Sequence, residues 1–124
     1  MTGYTSFGAF LTGKREERDL TLREMARKME VSPAYLSDIE KKRTSTLTKE
    51  RLDSVAQILH LDRDEREEMF DLVGSQKGTV APDIPEYIYG REYVARALRR
   101  ARDLGAGEAE WMRFVEELEQ REGR

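Results

Sequence analysis

Residues 20–43 read LTLREMARKMEVSPAYLSDIEKKR, and they decide the fold. The stretch holds two short helical patterns, each with its own start signal, a few residues apart. Thr21, with Glu24 three residues on, forms a capping box, in which hydroxyl and carboxylate each satisfy an otherwise unbonded backbone N–H. Leu22, Met25, Ala26 and Met29 then recur at three- and four-residue steps, one face of an α-helix. Ser32 is placed as an N-cap, and Pro33 stands at the first helical position, where its missing N–H costs nothing. Leu36 and Ile39 supply the buried side of this second helix. Helices joined so tightly cross at a large angle, and small Ala26 lets them approach. The second helix of such a pair can enter the major groove of DNA.

Ala26, Val31-Ser32, Leu36 and Ile39-Glu40, followed by Lys41-Lys42-Arg43, resemble the Cro/CI-type (XRE) family of helix-turn-helix DNA-binding domains. The resemblance implies an all-α fold, a compact five-helix bundle over residues 6–73. Two departures fall at turns. Asp19 and Glu30 stand where the family often has glycine. A left-handed backbone suits Asp better than most residues and is unfavourable for Glu. A third departure is Leu22, which occupies a position where a family glutamine contacts phosphate.

Upstream, Met1 to Thr5 should be frayed, and a first helix should run from about Ser6 to Arg18 with Phe7, Phe10 and Leu11 inward. Gly8 and Gly13 weaken that helix by roughly 1 kcal/mol each relative to Ala, so packing must hold it. Downstream, residues 44–47 form a polar loop. Thr48 caps a fourth helix that ends near Leu59, with Leu52, Val55, Ala56 and Leu59 on one face. Asp62 and Glu65 make a second capping box, opening a fifth helix that should end at Gly74. Residues 74–81 (GSQKGTVA) lack periodicity and are expected to be a linker. After Pro82 and Pro85, a single helical turn at 86–89 precedes Gly90. Two further helices, Arg91 to Leu104 and about Gly107 to Arg121, are separated by Gly105 as a C-cap. Residues 82–124 thus form a C-terminal αα-hairpin that resembles no family known to us.

The chain has 124 residues, 38% apolar and 38% charged. No apolar run approaches the ~20 residues needed to span a bilayer, and the N-terminus lacks the basic and apolar segments of a signal peptide. Together with the absence of cysteine this points to the cytoplasm. The net charge is −3, yet residues 1–45 carry nine Lys/Arg against seven Asp/Glu. The basic excess therefore sits on the motif that would meet phosphate. It is small, which implies modest affinity per monomer and reliance on dimerisation.

The resemblance places Pro33, Ala34, Ser37 and Asp38 on the groove-facing surface of the recognition helix. All are short. Ala34 can touch a thymine methyl, Ser37 can donate or accept, and Asp38 can accept from cytosine N4. Asp38 can equally be a local charge partner of Lys41 or Lys42. Tyr35 is either a phosphate donor or a ring lying over the bundle. Lys41, Lys42, Arg43, Thr44 and Ser45 form a basic, hydroxylic run suited to phosphate, with Arg23 and Arg27 on the preceding helix as further cations. Arg15 and Glu40 align with an internal ion pair of the family. No glycine-rich phosphate loop or metal-ligand spacing occurs, and the single histidine, His60, sits at a helix end. Catalysis, a cofactor and a metal are not expected.

Trp111, Phe114, Val115 and Leu118 form the clearest amphipathic face in the chain, either extending the core or serving as a dimer or partner surface. Arg96, Arg99, Arg100 and Arg102 make a basic stripe on the helix before it. The sequence thus suggests a small transcriptional regulator, a repressor acting as a homodimer on an inverted-repeat operator in double-stranded DNA. The alternative is a protein-interaction module of antitoxin or adaptor type, holding a protein partner through residues 82–124.

Overall fold

The computed structural model describes residues 3–41 and 47–122. Among the described residues there are eight α-helices and no strand, in the order α1 (Phe7–Glu17), α2 (Leu22–Met29), α3 (Pro33–Lys41), α4 (Lys49–Ile58), α5 (Arg63–Lys77), α6 (Asp83–Ile88), α7 (Glu92–Leu104) and α8 (Glu108–Glu122). They fall into two compact units, Met1–Glu86 and Tyr87–Arg124. The fold is all-α, and its first unit is the helix-turn-helix bundle the sequence implies.

Most helices of the first unit begin with a side chain bonded to the backbone. Ser6 Oγ accepts from Ala9 N at 3.0 Å and Thr48 Oγ1 from Arg51 N at 3.2 Å. Both capping boxes are closed in both directions, Thr21 with Glu24 and Asp62 with Glu65. Ser32 Oγ accepts from Tyr35 N at 3.1 Å, opening α3. These bonds satisfy N–H groups that a helix leaves without intrahelical partners.

The core is made by Phe7, Phe10 and Leu11 of α1, Met25 and Ala26 of α2, Leu36 and Ile39 of α3, Leu52, Val55 and Ala56 of α4, and Met69 and Val73 of α5, all nearly inaccessible to water. These residues recur at helical spacing, so each helix turns one stripe inward and the stripes meet in a single cluster.

Three turns use left-handed residues that are not glycine, one of them His60 (φ 52°) after α4. Asp19 has φ 56° after α1, and Glu30 has φ 60° as the C-cap of α2. The backbone geometry for which the family uses glycine is therefore kept, with the strain carried by the side chains present.

Three expectations are corrected. The N-terminal segment is packed at Tyr4: its ring meets Phe10 edge-on at 5.4 Å and its hydroxyl donates to Glu17 at 3.1 Å. The ring fills the space beside Gly13, where a Cβ would lie 2.5 Å from the Tyr4 hydroxyl, so the glycine that weakens α1 admits the tyrosine. Second, α5 runs through Gly74 to Lys77 and stops at left-handed Gly78 (φ 68°). Gly74 is a contact point instead of a terminator, because a Cβ there would meet the Ala81 backbone at 2.8 Å. Third, the turn expected at residues 86–89 is the longer α6, starting at Asp83. Within the first unit, which ends at Glu86, Lys49 bonds that residue at 3.1 Å and Asp53 of its own helix at 2.8 Å.

In the second unit, α7 ends at left-handed Gly105 (φ 73°), whose N–H bonds back to the last turn. Glu110 Oε2 accepts from Gly107 N at 2.8 Å at the start of α8. No residue of α7 or α8 is buried.

Candidate nucleic-acid interface

Recognition by a helix requires that its outward side chains be held at fixed positions, so the ties that clamp α3 come first. Leu36 and Ile39 anchor its inner side in the core. At its C-terminal end, Glu40 accepts from Arg15 Nε at 2.9 Å, from Arg15 Nη2 at 3.3 Å and from Thr12 Oγ1 at 2.9 Å. A further nitrogen of the same guanidinium, Nη1, donates to Leu20 O at 2.9 Å. The fork of Arg15 thus joins α1, the turn before α2 and the end of α3 in one charge-assisted set. Glu40 holds the Arg15 pKa above its ordinary value. The turn between α2 and α3 is fixed from elsewhere: Arg51 of α4 donates to Met29 O at 2.8 Å, capping the last turn of α2.

Thr12 and Arg51 are positioning residues that sequence reasoning missed. Each lies 22 or more positions from its partner, and neither belongs to a local motif. Arg15 and Glu40, as far apart in sequence, were reached only through the family resemblance.

With α3 clamped this way, Ala34, Asp38 and Lys41 fall on the stripe opposite Leu36 and Ile39, and each is exposed. Pro33 and Tyr35 flank that stripe and are exposed as well, while Ser37 is half-buried at its edge. On α2, Arg23 and Arg27 lie one turn apart and exposed, with exposed Lys28 beside them. Lys28 was not singled out from the sequence, although it belongs to the same run. Lys42, Arg43, Thr44 and Ser45 lie outside the described residues.

The α2–α3 surface therefore offers Arg23, Arg27, Lys28 and Lys41 as cations around a strip of short side chains. Glu24 is committed to the Thr21 N–H, and that bond holds its carboxyl below the usual range. Glu40 is taken up by Arg15 and Thr12, and the exposed acids are Asp38 on α3 and Glu30 at the turn before it. This arrangement can grip a phosphodiester backbone and bring short side chains close to base edges.

No group of three or more metal-ligating side chains occurs among the described residues, and no described helix is long and apolar enough to cross a membrane. In the comparisons with known proteins, residues 6–69 match the model of a family described as helix-turn-helix domain. No curated protein matches the chain. A solved complex of SinR protein with SinI protein is similar at 20% identity and a TM-score of 0.43, covering 95% of this chain and 99% of that one.

Proposed function

The chain belongs to the helix-turn-helix domain family, of the Cro/CI (XRE) type, and from that premise we propose that it is a small transcriptional regulator. It binds an inverted-repeat operator in double-stranded DNA as a homodimer and represses by occluding a promoter. α3 enters the major groove, where Pro33, Ala34, Ser37 and Asp38 face base edges. Tyr35, Lys41, Arg23 and Arg27 contact phosphate, together with Lys42, Arg43, Thr44 and Ser45 of the segment that follows. The observation that carries this reading is the outward stripe of α3, held by Leu36, Ile39 and the Glu40 clamp, with cations on both helices of the motif.

The short groove-facing residues suit close approach of the helix to the base pairs, and the modest basic excess suits two weak half-sites combined. Half-sites about one helical turn apart are what a two-fold protein requires. The exposed Trp111 and Phe114 favour a second reading, in which residues 82–124 hold a different protein, as an antitoxin or adaptor would.

Selection of bound DNA from a random duplex pool tests the proposal. The expected product is an enriched inverted repeat. Lys41→Ala should weaken binding uniformly across sequences and lower the salt slope by about one. Ser37→Ala should relax the preference at one base position, at a cost of about 1–3 kcal/mol. No enrichment at low salt would remove DNA recognition from the account and leave the protein-partner reading.

A further inference from the structure

The second unit combines an exposed apolar face with a division of charge between its two helices. Trp111 (38% exposed), Phe114 (51%) and Leu118 (43%) line one side of α8, and Leu98 (42%) stands on the corresponding side of α7. Side chains of this size at such exposure mark an interaction surface. The two helices differ in sign. α7 carries four arginines against Glu92 and Asp103, whereas α8 carries six glutamates against Arg113 and Arg121.

The charges nearest the apolar stripes follow the same division. At 100° per residue, Arg100 and Arg102 straddle Ala101 on the α7 stripe, and Glu117 and Glu119 straddle Leu118 on the α8 stripe. Arg100, Glu117 and Glu119 make no ion pair among the described residues, and Arg102 pairs with its neighbour Asp103 at 3.0 Å on the surface.

Resting on the homodimer reading above, we propose that this unit is the dimer interface and that it pairs crosswise, α7 of one copy against α8 of a second copy. A two-fold axis makes every contact occur twice with roles exchanged. Pairing α7 with α7 would set arginines against arginines, and α8 with α8 glutamates against glutamates. The crosswise arrangement places Arg100 and Arg102 along Glu117 and Glu119 of the other copy, twice, while Trp111, Phe114, Leu118 and Leu98 pack together out of water. The surface is complementary to itself in charge as well as in polarity. That complementarity selects a second copy of this chain over a partner of uniform charge.

The experiment uses two full-length variants, R100E/R102E and E117K/E119K, measured alone and mixed by sedimentation equilibrium, with circular dichroism to verify helix content. The wild type should be a dimer at micromolar concentration. Each variant alone sets like charges together at both crosswise contacts, and its dissociation constant should rise by about tenfold or more. An equimolar mixture should recover a dimer of near wild-type affinity, because glutamates on α7 of one chain then meet lysines on α8 of the other, and both contacts are again attractive.

Contacts within one chain cannot be repaired by mixing, so a mixture no tighter than its components overturns the crosswise pairing. A wild-type dimer untouched by either variant also overturns it, while leaving the homodimer reading intact with its interface elsewhere. A wild type that stays monomeric to about 100 µM, roughly a hundredfold above the micromolar range, overturns both.

Discussion

Replacing either member of the Arg15–Glu40 pair should cost the bundle several times what a surface ion pair is worth. The two side chains are only 12% and 9% exposed, and between them they form four hydrogen bonds: three into the Glu40 carboxylate and one from Arg15 to Leu20 O. In Glu40→Gln the amide still accepts from Thr12, but the guanidinium is left mostly out of water without its counter-charge. In Arg15→Met the carboxylate keeps the Thr12 hydroxyl alone. Breaking a buried pair from one side costs about 3–5 kcal/mol. Because both groups keep some contact with water, about 3 kcal/mol is the expected loss for each single variant.

Arg15→Met/Glu40→Gln removes both charges together and leaves a neutral amide, still accepting from Thr12, beside an apolar side chain, so it should be no less stable than either single variant. The coupling is then about 3 kcal/mol, at the upper end for directly contacting residues. Urea unfolding of the full chain, followed by far-UV circular dichroism, reads all four proteins. A double variant that loses about 6 kcal/mol, the sum of the two singles, would refute mutual dependence. Single variants that lose under about 1 kcal/mol would place the pair in the class of solvent-screened surface bridges. Since Glu40 lies at the end of α3, the single variants should also weaken DNA binding after correction for the unfolded fraction.

Acid should loosen the contact between α1 and α5. Glu65 accepts from Lys14, which bonds it at 2.7 Å, and from the Asp62 N–H, with Arg18 also beside it; these hold its carboxyl at about 2, against an ordinary 4.5. A carboxylate depressed on folding adds stability that is complete above its unfolded pKa and is lost as pH falls toward the folded one. The contribution, on the order of 3 kcal/mol, should therefore disappear between about pH 5 and pH 2. Urea midpoints of the wild type and Glu65→Gln should differ near neutrality, draw together below about pH 4.5 and converge only at about pH 2 and below; a constant gap would contradict this. Glu30→Gly should stabilise the chain by about 1 kcal/mol, because Glu30 is exposed and left-handed and glycine removes the Cβ strain at that φ. A lower melting temperature for this variant would show that the Glu30 side chain contributes more than its strain costs.

Much of the first unit was legible because its signals act over three or four residues. Thr21 with Glu24, Asp62 with Glu65, Ser32 and Thr48 each bond a backbone N–H within their own turn, so sequence spacing alone suffices to place them. Asp19 and Glu30 were marked as unusual by comparison with a family pattern, and both adopt the left-handed backbone that pattern requires. Gly74 and Tyr4 misled for the opposite reason. A glycine after an apolar run reads as a helix stop, and an aromatic near a terminus reads as loose. Their roles depend on Ala81 and on Phe10 with Glu17, and no local spacing encodes those partners.

Helical periods, capping chemistry, the helix-turn-helix and the division of charge between α7 and α8 are all legible in residue order, since each follows from spacing along one helix or turn. The fold alone selects the distant polar partners: Thr12 on Glu40 and Arg51 on the end of α2 around the recognition helix, and Gln76 of α5 accepting the Phe7 N–H of α1 at 2.8 Å. Polar side chains such as these have many possible partners in an extended chain. Only when the apolar stripes have met and excluded water does one partner lie within hydrogen-bonding distance, and leaving a group unpaired there costs more than it would at the surface.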